Sequence, residues 1–201
     1  MTTLLFSHPS FGRHEVPIGH VEHCGRYTAV EAALEGEEFV PLIRQVPPRA
    51  TAEQVERVHG RRFRQHVEEN APSEGLVQFD ADTFAGPSSL DATLRAAGGA
   101  VAAVDAVCTG KASNGFVASR PPGHHAEPDR AMGFCLFNAA AIAAMHARTV
   151  HGASRVAIVD FDVHHGNGSQ AAVWDDENAF FASSHEWPLY PGTGKASDRG
   201  S

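Results

Sequence analysis

Two short runs gather side chains able to do chemistry close together: Arg120-Pro-Pro-Gly-His-His-Ala and Asp160-Phe-Asp-Val-His-His-Gly-Asn-Gly. On an extended backbone successive side chains alternate faces, so Asp160, Asp162 and His164 project together while Phe161 and Val163 point the other way. A carboxylate and an imidazole so spaced can reach one metal ion. Zinc accepts nitrogen and oxygen ligands, and a catalytic zinc keeps one position open for water or substrate. Asp160 can stand beside such an ion and orient an imidazole. The Gly166-Asn167-Gly168 turn lets the backbone swing away afterwards. The same run also suits a polar strand end opening onto a solvated loop, although desolvating so many titratable groups is costly unless something pairs them.

In the first run, Pro121, Pro122 and Gly123 make the backbone stiff and then permissive, which suits an aimed loop. Adjacent histidines are also common on surface loops. Beside an activated water, however, His124 or His125 can act as general base, with a partner holding its tautomer. Asp160 and Asn167 are available for two such relays. A metal there would lower the pKa of its water toward roughly 7 and polarise a scissile carbonyl.

These residues need elements to hold them. Residues 3–7 read as a short strand and 25–35 as a helix around Tyr27, Val30, Ala33 and Leu34. The apolar run 40–46 reads as a strand ended by Pro47-Pro48. Thr51 and Gln54 form a capping box for a helix that continues, more weakly, to Glu69. The clearest helix spans 88–107. Gly98 and Gly99 cost it about 1 kcal/mol each in helicity, which points to close packing there. Strands at 115–119, 155–162 and 179–183 flank a helix at 139–150. Strands alternating with helices imply a parallel sheet covered on both faces, and ligands in such sheets bind beyond the carboxyl ends of the strands. Both histidine runs fall at such ends. No repeat or linker divides residues 1–201, so a single domain is expected.

The 201 residues suffice for one good-sized core, and 42% hydrophobic with 20% charged residues is ordinary for a globular protein. A formal net charge of −8 without a dense Lys/Arg run argues against a nucleic-acid surface. No apolar stretch of about 18 residues occurs, so no membrane span is expected. Cys24, Cys108 and Cys135 form no framework, which fits a reducing cytoplasm. A homo-oligomer is compatible with this composition.

The two runs, with Gly133-Phe-Cys-Leu-Phe-Asn138, Pro188-Leu-Tyr-Pro-Gly-Thr-Gly194 and His20-Val-Glu-His-Cys-Gly-Arg26, together resemble the histone deacetylase family. Asn167, Arg120-Pro-Pro and Trp187-Pro-Leu-Tyr point to its class II-like and bacterial branch. The resemblance implies a three-layer α/β/α sandwich around a mainly parallel sheet, like that of arginases and deacetylases. It also implies a zinc-dependent amidohydrolase acting on an acetyl-lysine peptide or an acetylated small amine. Asp162 and His164 match two zinc ligands. His124 and His125 match the paired proton-handling histidines, with Asp160 and Asn167 as their partners. Gly133 and Phe134 match one wall of the acyl channel, Arg26 a buried arginine at its inner end, and Asp82 a rim aspartate that holds substrate. For Phe134 the alternative is core packing, and for Arg26 a surface ion pair. Carbonyls of Asp160, Asp162 and His164, with Ser183 and Ser184, match a structural potassium site. The resemblance further implies a third ligand, an aspartate, and a transition-state tyrosine, or sometimes histidine, beyond the Pro-Gly-Thr-Gly segment. Neither motif occurs before Ser201. The chain therefore resembles the N-terminal two-thirds of such a domain, incomplete at its C-terminal side, with an open sheet edge. Acetylpolyamine hydrolysis and a catalytically silent metal-binding fragment are the alternatives.

Overall fold

The computed structural model describes residues 1–200. Three parallel strands, β1 (Thr3–Phe6), β2 (Ile43–Gln45) and β5 (Asn114–Val117), pair in the order β2-β1-β5. Two more, β6 (Val156–Asp160) and β7 (Ala179–Ser183), pair in parallel with Asp160 opposite Ser183. The expected α/β architecture with parallel strands is therefore present. An antiparallel hairpin, β3 (Val77–Asp80) with β4 (Thr83–Ala85), was not expected from the sequence.

Helices cover both faces of the first sheet. Leu5, fully buried, packs with Phe11 of α1 (Pro9–Gly12) and with Tyr27 of α2 (Gly25–Ala33). On the other face lies α5 (Ser89–Cys108), where a Cβ on Gly99 would meet Val117 and Phe6. A Cβ on Gly98 would overlap the carbonyl of Pro48, so the two glycines allow the close approach that offsets their helical cost. Over β6–β7, Ile158 packs with Ala141 of α6 (Ala139–His151) and with Val173 of α7 (Asn167–Val173). The opposite face of this pair is bare: Val159 is 67% and Phe180 64% exposed.

The helix expected from Ala52 to Glu69 is two helices. The capping box on Thr51 and Gln54 is present, but α3 (Ala52–Val55) ends after one turn and α4 (Arg61–Glu69) begins after Gly60. Between them His59 is fully buried; its Nδ1–H donates to the Glu127 carbonyl at 3.0 Å and its Nε2 accepts from the Asn138 N–H at 2.9 Å. These bonds hold residues 56–60 against the 120–138 segment, at the expense of helix continuity.

Candidate active site

The strand expected to run to residue 162 stops at Asp160, and residues 162–164 form a bend. Strand alternation therefore does not bring Asp162 and His164 together; the bend does. Asp162 Oδ1 accepts the His164 backbone N–H at 2.8 Å and lies 3.1 Å from His164 Nδ1. The expected Gly166-Asn167-Gly168 turn is instead the start of α7, with Gly166 as its N-cap.

The 120–126 loop sets both histidines against this segment. His124 Nδ1–H donates to Asp160 Oδ2 at 2.8 Å, and His124 Nε2 lies 3.9 Å from Asp162 Oδ1. His125 Nδ1–H donates to Asn167 Oδ1 at 2.8 Å, and the two imidazole centroids are 3.9 Å apart. Burial and then the neighbouring His124 pull His125 down to about 4, against the hydrogen bond it donates to Asn167, so this ring is neutral at pH 7. Burial pushes the Asp160 carboxyl up, but the bond and charge of His124 outweigh it and leave Asp160 below its ordinary value.

Gly133 is the other constraint on His125. Its φ is 56° and a Cβ there would overlap the His125 ring. Phe134 also has a positive φ, 70°, and its N–H donates to Thr83 Oγ1 at 3.0 Å. Its ring stands edge-on to His20 at 5.0 Å rather than in the core, where Cys135, Leu136 and Phe137 are buried. Opposite, Tyr190 packs edge-on against His125 at 5.0 Å. Burial, then Asp82 and Asp80, push its phenol well above the usual tyrosine range. Asp82 sits in the β3–β4 turn, with its carbonyl accepting from His20 Nε2 at 3.1 Å.

Arg26 departs from expectation. Its side chain is 56% exposed, and it reaches Glu22 Oε1 only at 3.6 Å because a different arginine holds that oxygen. That arginine is Arg120, 3% exposed, with Nε 2.8 Å from Glu22 Oε1 and further bonds to the carbonyls of Phe11, His14 and Glu22. Arg120 and Glu22 are 98 positions apart, and nothing in the sequence pairs them. The pair fixes the base of the histidine loop; removing one partner of such a buried ion pair typically costs about 3–5 kcal/mol. Of the residues matched to potassium, Asp160 and Ser183 are register partners, and the Asp160 carbonyl accepts the Ser184 N–H at 3.0 Å.

Asp162 and His164 are donors of the kinds zinc takes, converging from one bend. Among the described residues, no third His, Cys, Asp or Glu completes a set of three with them. One such set exists elsewhere, Asp105 with His146 and His151, its ligating atoms within 4.8 Å of one another. There Arg57 donates to His146 Nδ1 at 2.7 Å, so Nε2 carries the proton and donates to Asp105 at 2.6 Å. His151 Nε2 lies 2.7 Å from the same Asp105 oxygen, so the cluster is hydrogen-bonded among its own members.

The frame is a parallel α/β one that sets two relayed histidines beside a carboxylate–imidazole pair, and the comparisons give its family. Residues 20–201 match the Histone deacetylase domain, and the chain belongs to that family. It is 39% identical to the chloroplastic histone deacetylase 14 of Arabidopsis thaliana, over 90% of this chain and 47% of that protein. It is 38% identical to a probable deacetylase of Methanothermobacter thermautotrophicus, over 96% of this chain and 57% of that one. The crystal structure of the HDA15 HD domain superposes with a TM-score of 0.93 at 34% identity, covering all of this chain and 59% of that one. The chain thus spans about half the length of these curated relatives.

Proposed function

We propose that this chain carries the proton-handling and two-ligand part of a zinc-dependent deacetylase site, acting on acetyl-lysine or a related acylated amine. The observation that carries it is the pair of independent relays, His124 to Asp160 and His125 to Asn167, each 2.8 Å long and set beside Asp162 and His164. Names of relatives from plants and archaea, "histone deacetylase" and "probable deacetylase", support the same reaction class.

Asp162 and His164 would hold the ion, which when bound supplies Lewis acidity to the acyl carbonyl and the attacking water. The neutral His125, with Nδ1–H held by Asn167, keeps its Nε2 lone pair to accept a proton from that water. His124, with Nδ1–H held by the Asp160 carboxylate and Nε2 turned toward Asp162, would in its imidazolium form hand a proton from Nε2 to the departing amine. Phe134, Tyr190 and Gly133 would line the approach of an apolar acyl-alkyl arm, and Asp82 would meet a substrate N–H at the rim. Acidic groups at the hairpin and a net charge of −8 favour a cationic amine product.

The test is zinc-dependent acetate release from an acetyl-lysine peptide and from an acetylated diamine, by a deacetylase domain containing this chain. Asp162→Asn should lower kcat/KM by at least about a hundredfold, in line with the loss of an essential charge-stabilising group. Release undiminished by that substitution contradicts the assignment.

A further inference from the structure

The two relays differ in one chemical respect. Asp160 can only accept, so it fixes the His124 proton on Nδ1 unaided. Asn167 cannot do this alone, because its amide has a donor end and an acceptor end of nearly equal shape. With the amide reversed, its NH2 would face His125 Nδ1, the ring proton would move to Nε2, and the outward nitrogen would have no lone pair.

A third residue decides the matter. Asn167 Nδ2 donates to Glu127 Oε1 at 2.7 Å, a bond that exists only with Oδ1 turned to His125. Reversal would set the amide oxygen against a carboxylate. The other neighbour of Nδ2 is the Met132 sulfur at 3.4 Å, a weak acceptor. Glu127 is itself anchored. Its carbonyl accepts from His59 Nδ1, its N–H donates to the Arg130 carbonyl at 2.9 Å, and its Oε2 accepts from Arg130 Nη2 at 3.1 Å. We infer that Glu127 is a positioning residue that orients the Asn167 amide and thereby holds His125 in the Nδ1–H tautomer. Its value to catalysis rests on the reading of His125 as a proton acceptor; its effect on the tautomer does not.

The experiment is a long-range 1H–15N correlation of the histidine rings in the 15N-labelled chain at pH 8, without metal or substrate, His125 being assigned by its loss in His125→Gln. The wild type should show the Nδ1–H tautomer alone. Glu127→Gln, whose own amide has a donor end as well as an acceptor end, should orient Asn167 less firmly and show a mixture between those of the wild type and Glu127→Ala. Glu127→Ala should raise the Nε2–H population several-fold. Asn167→Asp combined with Glu127→Ala should restore the single tautomer, since an aspartate has no end to misplace. Should Glu127→Ala unfold, Glu127→Met keeps the bulk without the acceptor and is read the same way. A wild-type ring already in the Nε2–H form, a folded Glu127→Ala or Glu127→Met indistinguishable from wild type, or a double variant as mixed as the single one overturns the inference. A protein that fails to release acetate leaves these outcomes unaffected, so the two failures are told apart.

Discussion

Behind the two histidines stand residues of different competence, and the site's constraints follow from that. His124 and Asp160 are 36 positions apart and His125 and Asn167 are 42 apart; residue type offered Asp160 and Asn167 as partners for the two imidazoles, and the family resemblance implied which takes which. Arg120 with Glu22, and Glu127 behind Asn167, were not legible: an arginine or a glutamate is ordinary on a surface, and only the folded backbone reveals one as buried or aimed. Arg26 was read as the buried arginine because its segment resembled the right one, whereas burial is decided by which guanidinium reaches Glu22 first. Gly133 gives the sharpest single-residue prediction. With φ at 56° and the His125 ring in the space a Cβ would fill, Gly133→Ala should destabilise the fold by about 1–3 kcal/mol and displace His125. Urea unfolding would measure the first effect and the His125 ring shifts the second.

Among the elements, α2, α5 and α6 were readable to within a few residues, α2 from the recurrence of Tyr27, Val30, Ala33 and Leu34 and α5 from a capping serine and a run of small apolar residues. The failures have local causes. The alternation of Phe161 and Val163 extended the expected strand past Asp160, but those side chains are 86% and 50% exposed and hold no strand in place. Gly166-Asn167-Gly168 reads as a turn, yet the glycines let α7 begin tight against the 124–126 backbone. The break between α3 and α4 depends on buried His59, and this has a pH consequence. Burial holds His59 down to about 4, against carbonyl bonds that raise it. Burial, then Arg120, hold His14 down to about 3. Both values lie below the unfolded value of about 6.5, so above that pH neither group makes stability depend on pH. As pH falls from there toward 4 the unfolded chain takes up protons that the native state refuses, and stability drops. Urea midpoints between pH 7.5 and 4.5 should show this loss, and His59→Gln should flatten its slope even though the variant is less stable throughout.

For the whole molecule, the two faces of β6–β7 have unequal value. Ile158 is 9% exposed and packs on α6 and α7, while Val159, its neighbour in the strand, is 67% exposed. Ile158→Ala should therefore cost about 2–5 kcal/mol, and Val159→Thr should stay within about 0.5 kcal/mol of wild type by urea unfolding. The bare apolar face should instead govern self-association, so Val159→Thr should reduce light scattering at high protein concentration. The domain family was legible because its motifs lie on the loops at the strand ends, where chemistry rather than packing dictates the residues. The account turns on His125 as the proton acceptor. The direct test joins these 201 residues to the remaining part of the Methanothermobacter thermautotrophicus probable deacetylase, of which the chain covers 57%, and measures chelator-sensitive acetate release from an acetyl-lysine peptide. The prediction is zinc-dependent release that falls at least about a hundredfold in His125→Ala, as loss of a general base should make it. A folded chimera that releases no acetate, or one whose release survives His125→Ala, contradicts the account.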